Sequence, residues 1–276
     1  MRFWLKLVTV FILFSCWMLF FWILFLSPKP KPAGLPPVSS HALPKIPFVS
    51  AAAASQKRVP ILMYHHIRQS QPQDNHVEKG LDVSPTAFEA QMKFLAAKGY
   101  HSILLKEIFT HPGGRLVVIT FDDGYKDVIE KALNILQKYH FQAVAFIIVD
   151  KVGQPGYLTW DDIARLESAG WEIGSHTLSH PDLTKINKEK AKKEIQESKT
   201  ILERHLHKPV YSFSYPAGRL NSEVVKMVQG AGYQEAVTTR FGVEEKTKER
   251  YQLPRVRVSG FDSWHSFVKK ITTFFP

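Results

Sequence analysis

Thr120-Phe121-Asp122-Asp123-Gly124 closes an apolar run that begins at Leu116, and His176-Thr177-Leu178-Ser179-His180 follows about fifty residues later. The run 116–121 has the length and β-branched content of a buried strand, so the Asp pair sits where that strand ends. Adjacent strand residues point to opposite faces, and both carboxylates reach one site only if the chain bends there, which Gly124 permits. Two imidazoles four residues apart and one carboxylate form an oxygen and nitrogen donor set for a divalent cation. Three protein ligands leave a coordination position open for water or substrate, and the second carboxylate remains to act as a base. Singly, Asp-Gly is also a common turn pair, and a His pair at this spacing also opens helices. Together, after successive strands, they point to a metal site.

Outward from these motifs, apolar strands alternate with amphipathic helices from 59 to about 258. Strands are expected at 59–65, 116–121, 143–149, 171–174 and 210–215, with short ones near Ala236 and Val256. Helices are expected at 85–98 with Ser84 as N-cap, at 126–139, from Thr159 with Asp162 as its capping partner, at 188–205 and at 222–230. This alternation calls for a parallel sheet with helices outside, either an open doubly wound sheet or a closed barrel. In both, the active site lies at the C-terminal ends of the strands, where Asp122, His176 and Pro216 all fall.

Residues 1–26 read as a membrane anchor: twenty of them, 7–26, carry no charge and suffice for a helix to cross about 30 Å of hydrocarbon. The run ends in Leu26-Ser27-Pro28-Lys29-Pro30 rather than in a small-residue cleavage site, which favours retention over cleavage. Residues 27–58 hold seven prolines and an Ala-rich stretch and read as a semi-extended linker. The domain is expected over 59–260, with a C-terminal tail at 261–276. Cys16 falls in the apolar run and leaves the rest of the chain without a thiol, which is compatible with a single-pass protein whose domain lies outside the cytoplasm. The formal net charge is +11, or +9 once Arg2 and Lys6 are set aside. Dispersed Lys and Arg without a nucleic-acid-binding signature favour a wall or membrane surface over nucleic acid. Nothing in the sequence sets an oligomeric state.

The residues Thr120–Gly124, His176-Thr177-Leu178-Ser179-His180-Pro181 and Ser214-Tyr215-Pro216-Ala217-Gly218 resemble the NodB homology domain of the polysaccharide deacetylases, carbohydrate esterase family four. The resemblance implies an α/β fold, a distorted (β/α) barrel with fewer than eight regular strands, and metal-dependent removal of acetyl groups from N-acetylated sugars. It implies that Asp122 is the general base, that Asp123, His176 and His180 hold a divalent metal, usually zinc, and that the Ala217 N–H stabilises the oxyanion. The opening strand Pro60-Ile61-Leu62-Met63-Tyr64-His65-His66-Ile67 resembles the Tyr-His strand of the permuted members, which include those acting on poly-N-acetylglucosamine, and this assigns the acid role to His65. His66 takes its place if the register is off by one, and an imidazole near its ordinary pKa suits a donor to an amine.

Many relatives orient the base with an Arg where this chain has Ser214, so the charge must come from elsewhere; Arg255 is the first candidate and Arg219 the second. The family's Asp-x-x-Asp-Trp motif is not found. Tyr125, Tyr215 and Pro216 are expected to line the substrate site. Expected, then, is an N-deacetylase acting on an N-acetylglucosamine-containing glycan of the wall or cell surface. The alternatives are an O-acetyl esterase on the same metal site and a weakly catalytic glycan binder. No Gly-x-Ser-x-Gly elbow occurs, which disfavours a serine hydrolase.

Overall fold

The computed structural model describes residues 59–111, 113–243 and 249–273, so the anchor at 1–26 and the linker at 27–58 lie outside the described residues. Ten strands follow in chain order: β1 Ile61–Tyr64, β2 His66–Ile67, β3 Asp82–Val83, β4 His101–Ser102, β5 Leu116–Phe121, β6 Val144–Ile147, β7 Glu172–Ser175, β8 Ser212–Ser214, β9 Glu235–Phe241 and β10 Leu253–Arg257. Seven of them, β1-β10-β9-β8-β7-β6-β5, pair in parallel, and β1 pairs with β5 as well, which closes the ring. Leu62 faces Val256 on one side and Ile119 on the other. β4 attaches to β5 outside the ring, and β2 pairs with β3 in a separate two-stranded ladder.

Closure explains why β5 is buried along its whole length. Alternate residues serve two cores: Leu116 and Val118 join Ile61, Val144, Phe146, Val237 and Leu253 in one cluster, while Val117, Ile119 and Phe121 join the larger cluster. The first set fills the barrel; the second packs beneath the surrounding helices. The same phase carries Thr120 and Asp122 inward from β5, His176 from β7, Ser214 from β8 and Arg255 from β10. A Cβ on Gly174 would come within 2.5 Å of the Phe146 ring, so β7 has no side chain where that ring occupies the barrel. At the other mouth, Ser212 bonds Glu172, and Arg250 Nη2 donates to Glu235 Oε1 at 2.6 Å.

Helices run from Pro85–Ala97, Trp160–Ser168, Lys188–Leu206 and Ser222–Gly230, close to expectation, and the first two carry the caps the sequence offered. The Ser84 hydroxyl accepts from Ala87 N, and Thr159 with Asp162 forms a reciprocal capping box. The expected helix at 126–139 is instead a π-helical turn, Val128–Ala132, followed by the helix Leu133–Lys138. The segment read as a tail at 261–276 also departs from expectation. In its described part it forms the helix Trp264–Thr272, which buries Phe267 and Ile271 in the larger core, so the domain's packing runs past 260.

Candidate active site

β5 ends in two carboxylates that occupy one site because the backbone turns left-handed there, with φ of 74° at Asp123 and 79° at Gly124. A Cβ on Gly124 would press on Ile147 Cδ1 at 3.3 Å, so glycine serves both the turn and the fit. Asp123 Oδ1 lies 3.4 Å from His176 Nε2 and 3.7 Å from His180 Nε2. One ligand atom from each of these three residues lies within 4.8 Å of the others. His176 Nδ1–H donates to Ser214 O at 2.7 Å; since a carbonyl only accepts, Nε2 is left with its lone pair toward Asp123. A carboxylate oxygen and two imidazole nitrogens converging in this way fit a zinc-like divalent cation.

The loop bearing the second imidazole is held by a residue the sequence reading missed. Glu194, on the Lys188–Leu206 helix, accepts from Leu178 N and Ser179 N, both at 2.9 Å, and from Ser179 Oγ at 2.7 Å. These bonds hold a loop that places Thr177 at φ 69° and His180 at φ 61°. Glu194 lies in a run of alternating Lys and Glu, and nothing local sets it apart.

Asp122 faces the interior and is gripped by Arg255, Nη1 to Oδ1 at 2.7 Å and Nη2 to Oδ2 at 2.6 Å. The guanidinium is fully buried and also donates to Thr120 Oγ1, Ser214 Oγ and Thr238 O. The Arg missing at Ser214 is thus supplied from β10. Ser214 is small enough to admit it and bonds both partners, its Oγ lying 3.4 Å from Asp122 Oδ2. Arg219, the second candidate, is elsewhere: its Nη1 donates to Asp182 at 2.6 Å, tying the Pro216–Gly218 turn to the loop that follows His180.

The charges tune one another. Burial alone would raise the Asp122 carboxyl, but Arg255 outweighs it and holds it below the usual carboxylate range. Asp123 is likewise lowered, its desolvation overcome by His176, His65 and His180. Burial lowers His176, but the Asp123 and Asp122 carboxylates beside it outweigh that and raise it, whereas burial and His176 lower His180.

His65 lies where the chain leaves β1 for β2, and Asp122, Asp123, Arg255 and Arg257 all act on its imidazole. The expected near-neutral pKa is not what this place gives: burial lowers it to about 4 against the pull of the two Asp residues. His66 belongs to β2. Its Nδ1–H donates to Asp127, whose other oxygen accepts from Ile67 N at 2.8 Å, and its ring stacks on Tyr125 at 3.5 Å.

Tyr125 stands half-buried between His66 and Tyr157, beside Asp123. Burial, reinforced by Asp123, raises its phenol. Tyr215 does not line the site. Strand alternation turns it outward from Ser214 into the core beneath the helices, wholly buried, where its hydroxyl donates to Tyr251 O. Pro216 is buried and opens the turn in which Ala217 adopts φ 52° and Gly218 φ 68°. A Cβ on Gly218 would fall 2.1 Å from Thr239 Oγ1.

A protein of Bacillus subtilis, YxkH, named as a polysaccharide deacetylase, is 35% identical over 208 residues, covering 73% of this chain and 72% of its own length. The chain belongs to the polysaccharide deacetylase family. The family model described as polysaccharide deacetylase matches residues 110–236 of this deacetylase, a span that holds the Asp122-Asp123 pair, His176, His180 and the Pro216–Gly218 turn. The poly-beta-1,6-N-acetyl-D-glucosamine N-deacetylase of Staphylococcus aureus is 28% identical over 240 residues, covering 76% of this chain and 81% of its own. Among solved structures, the Streptococcus pyogenes deacetylase PplD in complex with acetate superposes with a TM-score of 0.72 at 27% identity, over 77% of this chain and 97% of that one. This deacetylase is a hydrolase of the same class.

Proposed function

We propose that this hydrolase removes N-acetyl groups from an N-acetylglucosamine-containing glycan of the wall or cell surface, using zinc or a similar divalent metal on Asp123, His176 and His180. The observation that carries the reading is the Arg255 fork, which keeps Asp122 ionised beside a three-ligand cluster that does not need it as a ligand. The Staphylococcus aureus relative names a poly-N-acetylglucosamine substrate, and the structure of PplD holds acetate, the product of such a reaction.

A metal bound there would supply a Lewis acid that polarises the acetyl carbonyl and acidifies water. Asp122 takes the proton of the attacking water, its carboxylate aimed by two parallel N–H bonds from Arg255. The Ala217 N–H, in the turn held by Pro216 and Gly218, faces the developing oxyanion. The departing nitrogen needs a proton. His65 delivers it; with a pKa of about 4 it rests neutral at pH 7, so the proton it hands on must reach it during turnover, from the water by way of Asp122. Tyr125, braced by His66 and Tyr157, walls the sugar.

The uncharged run 7–26 and the linker after it support a single-pass anchor with the barrel outside the cytoplasm. The deciding measurement is acetate release from N-acetylglucosamine oligomers. Release should stop with a chelator, return with zinc, and fall by about 10³-fold in Asp122→Asn. No release from any acetylated glycan with metal supplied would sink the reading.

A further inference from the structure

A second polar cleft of about 160 Å³ opens at the catalytic end of the barrel, lined by residues that follow β1, β2 and β10, among them Arg68, Ser70, Asp82, Ser259, Gly260 and Asp262. Arg68 comes three residues after His65, and Gly260 three after Arg257, so the cleft lies past the ends of neighbouring barrel strands. Its floor is unusual. Asp82 is 3% exposed; its Oδ1 accepts from Arg68 Nε at 2.7 Å, but its Oδ2 is buried with no hydrogen-bond partner among the described residues. The Arg68 fork also reaches Asp74, Nη2 to Oδ2 at 3.3 Å, which holds the guanidinium across the cleft.

Beside the cleft stands an aromatic surface that the fold leaves uncovered. Phe261 is 55% exposed; its backbone N–H is held by Ser259 Oγ, and its ring is stacked on His76 at 4.6 Å, interplanar angle 20°. The loop that carries it is fixed by close packing, since a Cβ on Gly260 would fall 2.2 Å from the carbonyl oxygens of Lys79 and Asp82. A rigid ring next to hydroxyls and a guanidinium matches the two-sided chemistry of a pyranose, with apolar C–H faces and hydroxyls at the edge.

We propose that this cleft is a second saccharide subsite, taking a unit of the same glycan at a distance from the one being deacetylated: Phe261 stacks on its face, and Arg68 and Ser70 meet its hydroxyls. The assignment rests on the glycan-deacetylase reading above. It gives the enzyme a reason to prefer chains over single sugars.

The test compares the full-length protein with its Phe261→Ala and Ser70→Ala variants on dimers and pentamers of β-1,6- and β-1,4-linked N-acetylglucosamine. In the unmodified protein kcat/KM should be at least tenfold higher for pentamer than for dimer, and each variant should bring that ratio toward one with an unchanged thermal midpoint. A ratio that survives both substitutions, or equal losses on dimer and pentamer, overturns the subsite. Should no acetate be released from any oligomer, the functional reading fails rather than the subsite. Calorimetric binding of the pentamer to Asp122→Asn then decides: weakening by tenfold or more on adding Phe261→Ala upholds the cleft, and no effect or no binding overturns it.

Discussion

Asp122 and Arg255 form a buried ion pair whose cation stands fully enclosed, so neither partner can change alone without leaving a charge behind. Arg255→Met should cost about 3–5 kcal/mol of unfolding free energy by denaturant titration. It should also move the acid limb of the kcat/KM profile. Arg255 holds the Asp122 pKa down, so without it burial raises that pKa and the base becomes ionised only at higher pH. Arg255→Lys keeps the charge but not the fork, and should lower kcat by about 10²-fold while shifting the limb less. A limb that stays in place in both variants would show that Arg255 does not set the base. At this scale the sequence was legible where a type of atom was demanded. The Asp and His motifs stood out as a candidate donor set by the type of atom they bring, the family resemblance divided the two Asp residues between ligand and base, and the absence of Arg at Ser214 sent the search for an orienting cation to Arg255. Tyr215 was misread because one step along a strand reverses the face, and the phase follows from where the barrel closes rather than from the residues beside it.

Loops between strands and helices carry the site, and two of them are braced from outside the motifs. Glu194→Gln should leave helicity by circular dichroism unchanged but lower zinc affinity by about 10–100-fold in a competition titration, because a neutral amide holds the Leu178 and Ser179 N–H groups less firmly. Gly218→Ala should be worse tolerated than a surface Gly→Ala, since it adds a clash with Thr239 to a positive φ. Capped helices could be read from sequence at both Ser84 and Thr159, because a cap is a local hydrogen bond. The π-helical turn at Val128–Ala132 could not, nor could the docking of Phe267 and Ile271, which depends on the groove they meet.

Across the barrel, charge is placed at both mouths, and the candidate site occupies one of them. At the other, burial with the nearby Glu172 raises Glu235 to about 7 in spite of Arg250. A carboxyl raised in the folded state binds more protons there than when unfolded, so stability should fall as pH climbs from the ordinary Glu range through 7. Glu235→Gln should therefore raise Tm relative to the unmodified protein at pH 8, with the difference vanishing near pH 4; a pH-independent difference would remove Glu235 as the cause. The uncharged run 7–26 makes a separate prediction. The full chain should sediment with membranes, and a chain lacking 1–26 should not.

β1 is flanked by β5 on one side and β10 on the other, so the first of the described strands to be made waits for the last. A chain emerging from its N-terminus can assemble the segments from β5 to β9 in sequence, but it has neither a closed ring nor the Arg255 fork until residues 253–257 arrive. Closure is long-range and therefore slow. Asp122 meanwhile has no cation beside it to meet the cost of burial. Chains cut short before Leu253 should then be proteolytically labile and inert rather than partly active, which makes the last strand a checkpoint on whether the hydrolase is ever switched on.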